Sequence, residues 1–136
     1  MRTNIGARAI VVKEGKVLLI HRRNEGREYW VFPGGGVEDD ETPEKTVARE
    51  VKEETGAVIS CGEKFAEQDF NGGKQLFFRC EIVSGEGELK MTGPEKQTEN
   101  DWYQPEWRDL SEIRNLTLHP IEVRDMLLVE EFGKKK

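Results

Sequence analysis

The stretch from Phe32 to Val58, FPGGGVEDDETPEKTVAREVKEETGAV, constrains the fold more than any other part of the chain. Pro33 stops a short aromatic and β-branched run, and Gly34, Gly35 and Gly36 then free the backbone. Thr42 suits a helix N-cap, Pro43 the first helical position, and Glu44 the positive end of the helix dipole. Gly56 suits the C-terminal stop. At ~100° per residue, Val47, Ala48, Val51 and Thr55 form one stripe of this helix. Glu50, Glu53 and Glu54 form a second stripe beside it, and Lys45, Arg49 and Lys52 take the remaining side. Like charges three or four positions apart repel. A solvated helix intersperses its charges. Acids bordering an apolar stripe point to the edge of a cleft instead.

Crowded carboxylates at a cleft edge have two physical uses. They bind hard divalent cations, because Mg²⁺ and Mn²⁺ favour oxygen ligands. Their repulsion also raises the pKa of one member, which makes it a usable general base. Glycines ahead of the helix let backbone groups approach a metal and phosphates. Together these point to phosphate chemistry assisted by metal. Composition alone supports equally a plain acidic helix with pairs such as Arg49–Glu53.

The rest of the chain gives these residues a frame. Residues 5–23 hold two apolar runs around KEGK and predict a hairpin. NEGRE predicts a polar loop and YWVFP a short strand. AVISCGEKFAEQDF and KQLFFRCEIV flank NGG, a strong hairpin signal. The polar segment that follows predicts a loop with a short strand near Glu88. WYQPEWRDL predicts a strand broken by Pro105, and Pro120 opens an amphipathic helix ended by Gly133. No repeat or linker divides the chain, so one domain over residues 1–136 is expected.

Net charge is −6, with 27 acidic against 21 basic residues, which argues against a broad grip on nucleic acid. No apolar run reaches membrane-spanning length, and MRTNIGARAI lacks the apolar core of a signal peptide. Cys61 and Cys80 are too few for a disulfide scaffold. They suggest buried thiols in a reducing, cytoplasmic setting. His21 and His119 share no motif spacing and are expected to be surface or packing residues.

Gly35, five residues, Glu41, seven residues, then REVKEETGA from Arg49 to Ala57 resembles the Nudix box, the signature of the Nudix hydrolase superfamily. Only Ala57 is small for its position, where the pattern has a larger aliphatic residue. The resemblance implies an α/β fold, an α/β/α sandwich around a mixed β-sheet. It also implies Mg²⁺- or Mn²⁺-dependent hydrolysis of a nucleoside diphosphate linked to another group. By position, Glu50, Glu53 and Glu54 would bind metal, Gly34 would offer its carbonyl, and Glu38 would add an acidic contact. Arg49 would orient the glutamates. Glu41, Gly35 and Gly56 would shape the loops, and Gly35 and Gly36 would bring backbone towards substrate.

Water attacks phosphorus in such enzymes and gives its proton to a glutamate. That base would be a box glutamate, Glu50 or Glu53, or one from residues 91–101, where Glu95 is preferred over Glu99. Of the two cations ending the second strand, Arg23 is expected to meet substrate phosphate. Tyr29, Trp30, Phe70, Phe77, Phe78 and Trp102 are core residues or base-stacking ones. Gly73 and Gln75 stand where some subfamilies place a sorting proline or tyrosine. That leaves nucleoside triphosphates and nucleotide sugars as the expected small-molecule substrates. A non-catalytic nucleotide sensor on the same fold and an RNA 5′-end pyrophosphohydrolase are the alternatives. A homodimer is compatible with each reading.

Overall fold

The computed structural model describes residues 2–70, 72–85 and 101–133. In chain order the elements are β1 (Arg2–Lys13), β2 (Lys16–Asn24), β3 (Arg27–Val31), β4 (Gly34–Glu38) and α1 (Pro43–Thr55). There follow β5 (Val58–Phe70), β6 (Gly73–Ser84), β7 (Asp101–Asp109), a 3₁₀ turn (Leu110–Asn115), β8 (Leu118–His119) and α2 (Ile121–Gly133). The strands form one mixed sheet. β1 runs parallel to β6 and antiparallel to β4 and β2, and β3 runs parallel to β8. β2 runs antiparallel to β3 and β7, and β5 to β6.

Period-2 alternation builds a core on each face of this sheet. Ala7, Ala9 and Val11 of β1 pack with Leu18, Phe78 and Cys80 beneath Val47 and Val51 of α1. Their neighbour Ile10 turns the other way, towards Val17, Leu19 and Phe77 beneath Val123, Leu127 and Leu128 of α2. One helix therefore covers each face, the α/β/α arrangement that the resemblance implies. The α1 signals hold in detail. Thr42 accepts a hydrogen bond from the Lys45 amide at 3.2 Å, and Gly56 adopts a left-handed cap whose N–H bonds the Lys52 carbonyl.

Four local expectations need correction. NEGRE is no open loop: Asn24 pairs with Arg27 across a two-residue turn, with Glu25 and Gly26 at φ 52° and 81°. Two positive φ values suit the right-handed twist of a hairpin, and glycine takes the second at no cost. The glycine run is a strand, β4, laid against β1. Pro105 does not break β7; it pairs opposite Ile20, and among the described strands β7 is bonded to β2 alone. A missing N–H is tolerated on such an edge. Cys61 is half-buried, and only Cys80 is enclosed. The strand expected near Glu88 and most of the loop 91–101 lie outside the described residues; Asp101 begins β7.

Leu127 is fully buried in the α2-side core. Leu127→Ala should lower folding stability by about 2–5 kcal/mol. Its activity well below the melting temperature should stay unchanged, as urea titration and assay of the same sample would show.

Candidate functional site

Two elements meet at the candidate site because glycine lets them. A Cβ on Gly34 would lie 2.2 Å from the Ala7 carbonyl oxygen. A Cβ on Gly35 would lie 2.6 Å from the Glu50 carboxyl carbon. With neither present, β4 runs against the glutamate stripe of α1. The Gly34 N–H then donates to Glu54 Oε1 at 3.0 Å.

Burial is the largest cause that moves the Glu54 pKa, which rises to about 8. The Gly34 hydrogen bond and the Arg8 charge oppose the rise, and Glu50 adds to it. Burial also pushes Glu50 up, against the pull of Arg49 and with the push of Glu53. The Glu50 and Glu54 carboxyls act on each other: Glu54 favours the charged form of Glu50, and Glu50 favours the neutral form of Glu54.

Arg49 holds the other side of the stripe. Its Nε and Nη2 donate to the two Glu41 oxygens at 2.6 and 2.9 Å, a bidentate pair. Its Nη1 donates to Glu50 Oε2 at 3.0 Å and lies 3.6 Å from Glu53 Oε2. Hydrogen bonding from Arg49 is the main reason the Glu41 pKa falls to about 2. Glu41 also accepts from the Thr46 hydroxyl at 2.8 Å and the Glu38 amide at 3.3 Å. It thereby ties the loop before α1 to the helix.

A cleft of about 270 Å³ opens beside Glu54 and Gly34, walled by Arg8, Arg22, Tyr29, Val31 and Tyr103. The Arg8 Nε donates to Gln75 at 3.1 Å and its Nη1 to the Phe32 carbonyl at 2.6 Å. Burial lowers the Arg8 pKa, while Glu54 and Glu50 resist the fall. Arg22 lies over the Tyr103 ring, 5.6 Å from its centre, and its Nη2 is 3.5 Å from Asp101. The Arg22 Nε is buried with no hydrogen-bond partner among the described residues. A larger groove, about 620 Å³ between β5, β6 and α2, holds no part of the box.

Several expected residues are brought together here and several are not. Glu54 and Gly34 line the cleft, and Glu50 and Gly35 meet beside them. Arg23 does not: it is exposed and paired with Trp102, one residue out of phase with the wall. Arg22 takes that place, because successive strand residues face opposite sides. Gly36 pairs with Gly6 and Glu38 ends β4, and neither lines the cleft. Glu95 and Glu99 lie outside the described residues.

Arg8 was missed by sequence reasoning. Its signal was a lone cation inside the apolar run IGARAIVV. Of the aromatics, Phe77 and Phe78 are core, and Trp30 stacks on His21 with ring centres 4.3 Å apart. Tyr29 alone of that group reaches the cleft.

Among the described residues no three Asp, Glu, His or Cys side chains converge as a ready ligand set. The Glu50 and Glu54 carboxyls turn to each other, and Arg49 draws Glu53. The pair still fits a hard cation, whose charge would offset the burial that pushes both groups up.

The NUDIX domain family model matches residues 2–128, so this chain belongs to the Nudix family and is a Nudix hydrolase. It is 35% identical to a MutT-like protein of Streptomyces ambofaciens over 127 residues, 91% of this chain and 77% of that protein. It is 42% identical to an RNA pyrophosphohydrolase of Marinomonas sp. (strain MWYL1) over 55 residues, 40% of this chain and 32% of that one. The chain thus spans about a third of that second relative. Its structure resembles that of a MutT protein from Methanosarcina mazei Go1, with TM-score 0.68 and 26% identity over 97% of this chain and 95% of that one. Nudix hydrolases as a family use divalent metal ions and act on small nucleotides. No helix among the described residues is long and apolar enough to cross a membrane.

Two predictions follow from the geometry. Gly35→Ala forces the Glu50 carboxyl aside by its 2.6 Å contact. It should cut kcat by ~10²-fold, as misplacing a functional group by an ångström does, with the fold retained by circular dichroism. The second concerns pH without metal. Below the ordinary 4.5, Glu54 is protonated whether folded or unfolded, and its share of stability is whole. From 4.5 to about 8 only the unfolded chain ionises there, so stability falls as pH rises. The urea midpoint in chelator should therefore drop across that window, and Glu54→Gln should flatten the drop. A wild-type midpoint constant from pH 5 to 8 would contradict the burial of this carboxyl.

Proposed function

We propose that this chain is an Mg²⁺- or Mn²⁺-dependent pyrophosphohydrolase that cleaves a nucleoside diphosphate joined to a further group. A nucleoside triphosphate or a nucleotide sugar is the substrate class it fits. One observation carries this reading: the half-buried Glu54 carboxyl lines one cleft with two guanidiniums, Arg8 and Arg22, and Glu50 stands close enough for Arg8 to feel its charge. A polyphosphate with its counter-cation needs both signs of charge side by side, and a neutral or cationic ligand does not.

Glu50, Glu53 and Glu54 would hold the metal, with the Gly34 backbone and Glu38 as further oxygen donors. Once bound, the ion would neutralise phosphate charge and lower the pKa of water. Arg8 and Arg22 bind the phosphates and hold the anhydride against the glutamates. Arg8 is fixed for this by Gln75 and the Phe32 carbonyl. Arg49 keeps Glu50 and Glu53 aimed. A glutamate takes the proton of the attacking water. Glu95 is the proposed base, with Glu99, Glu50 and Glu53 as the other candidates. Tyr29 and Tyr103 flank the cleft and suit the nucleoside end.

RNA with a 5′ triphosphate remains a second candidate because a relative carries that activity in its name. The net charge of −6 weighs against a polymer substrate. A panel of nucleoside triphosphates, nucleotide sugars and a 5′-triphosphorylated RNA, assayed with Mg²⁺ or Mn²⁺, separates the readings. Turnover of the RNA alone would overturn the small-molecule assignment.

Chelator should abolish hydrolysis of the best substrate, and either metal should restore it. Glu53→Gln and Glu54→Gln should keep the fold and lower kcat by ~10²-fold or more. Glu95→Gln should lower kcat with little change in metal affinity, whereas Glu54→Gln should damage both. Full activity in Glu95→Gln and Glu99→Gln together would return the base to the box.

A further inference from the structure

The two cysteines stand directly opposite each other. Cys61 of β5 and Cys80 of β6 are register partners in an antiparallel ladder, so both side chains leave the sheet on one face. Facing Cα atoms in such a ladder lie ~4.5–5.5 Å apart, inside the ~4.4–6.8 Å range that a disulfide bridges. Each thiol donates to a nearby backbone carbonyl, Cys61 to Gly62 at 4.0 Å and Cys80 to Phe78 at 3.4 Å, and each feels the other. Cys61 is half-buried, beside a bulge that interrupts the ladder between Cys61 and Lys64. Cys80 packs into the core under α1 and also lines a groove of about 430 Å³ with Ser60, Gly62 and Glu81. One thiol is therefore within reach of a small reagent, and the second waits behind it.

We propose that Cys61 and Cys80 form a modification site that closes reversibly into a cross-strand disulfide with a low-molecular-weight disulfide, such as oxidised glutathione, as oxidant. The Cys61 thiolate attacks one sulfur of the reagent, forming a protein–reagent disulfide and expelling one small thiolate, which takes up the Cys61 proton. Cys80 then loses its proton and attacks the Cys61 sulfur. The second small thiolate leaves and takes that proton. Two protein thiols are oxidised, and one small disulfide is reduced to two thiols. Burial pushes both protein thiols up, Cys80 to about 12, which keeps the pair reduced and slow to react until such an oxidant persists. The bond would tie β5 to β6 without touching the cleft, so its effect falls on stability rather than on turnover.

The test is to incubate the full chain with excess oxidised glutathione and measure intact mass. The expected product has lost two hydrogens, carries no glutathione and shows no free thiol after denaturation. It runs as a monomer on a non-reducing gel, melts several degrees higher and reverts with dithiothreitol. Cys80→Ala should instead trap glutathione on Cys61, and Cys61→Ser should stay unmodified. If a variant fails to fold, the wild-type mass still decides. A persistent glutathione adduct on the wild type, a disulfide-linked dimer or two unreacted thiols would overturn the proposal.

Discussion

The close approach of β4 to α1 is the constraint on which the site depends. The strand runs so near the helix that a side chain at Gly35 would enter the Glu50 carboxyl, and so near β1 that one at Gly34 would enter the Ala7 carbonyl. The helix has no room to retreat, because Val47 and Val51 on its adjacent stripe are fully buried in the sheet. Apolar burial thus fixes the distance, and glycine makes the distance tolerable. The result is a carboxyl, Glu54, held out of water against one backbone N–H. A buried carboxyl with so few donors cannot stay charged cheaply. It holds its proton to well above the ordinary carboxylate range, up to about 8.

The arginines around this point divide the work by geometry. Arg49 spends its fork on Glu41 and its remaining edge on Glu50 and Glu53, all within the loop–helix unit. Three of its five N–H groups are engaged within that unit. Arg8 comes from the opposite strand and is held from behind by Gln75 and the Phe32 carbonyl. That anchoring leaves the rest of its guanidinium facing the cleft, close enough for Glu54 and Glu50 to feel its charge. Arg22 stacks on Tyr103 and has an Nε without a partner among the described residues. One arginine keeps the carboxylates in place, and two are positioned to receive anions.

What the sequence made legible follows from how local each signal is. The caps of α1 involve only neighbours, so Thr42, Pro43 and Gly56 could be assigned by inspection, and the structure shows them in those positions. The same holds for the glutamate stripe and for NGG between β5 and β6. β4 was not legible, because three glycines carry no β signal and the strand exists only through its partner β1. Pro105 misled for the converse reason: whether a missing N–H matters depends on which edge of the strand is paired. The choice between Arg22 and Arg23 turned on strand phase, a one-residue matter that distance along the chain cannot decide. Arg8 was hidden because it interrupts an apolar run that looks like core, and its partners come from Phe32 and Gln75, far away in sequence.

The same division bears on how one signature serves different substrates. The box supplies its glutamates and glycines from a single continuous segment, so it travels as a unit whose chemistry is set by its own geometry. The other wall of the cleft is assembled from β1, β2, β3 and β7, with Arg8, Arg22, Tyr29 and Tyr103 arriving from four separate strands. None of those residues is needed to hold Glu50 or Glu54 in place except through charge. Contacts from this wall to the part of a ligand beyond the reacting phosphates would discriminate between substrates. A chain can therefore declare its reaction in one short stretch and leave its substrate to residues that only the folded sheet brings together.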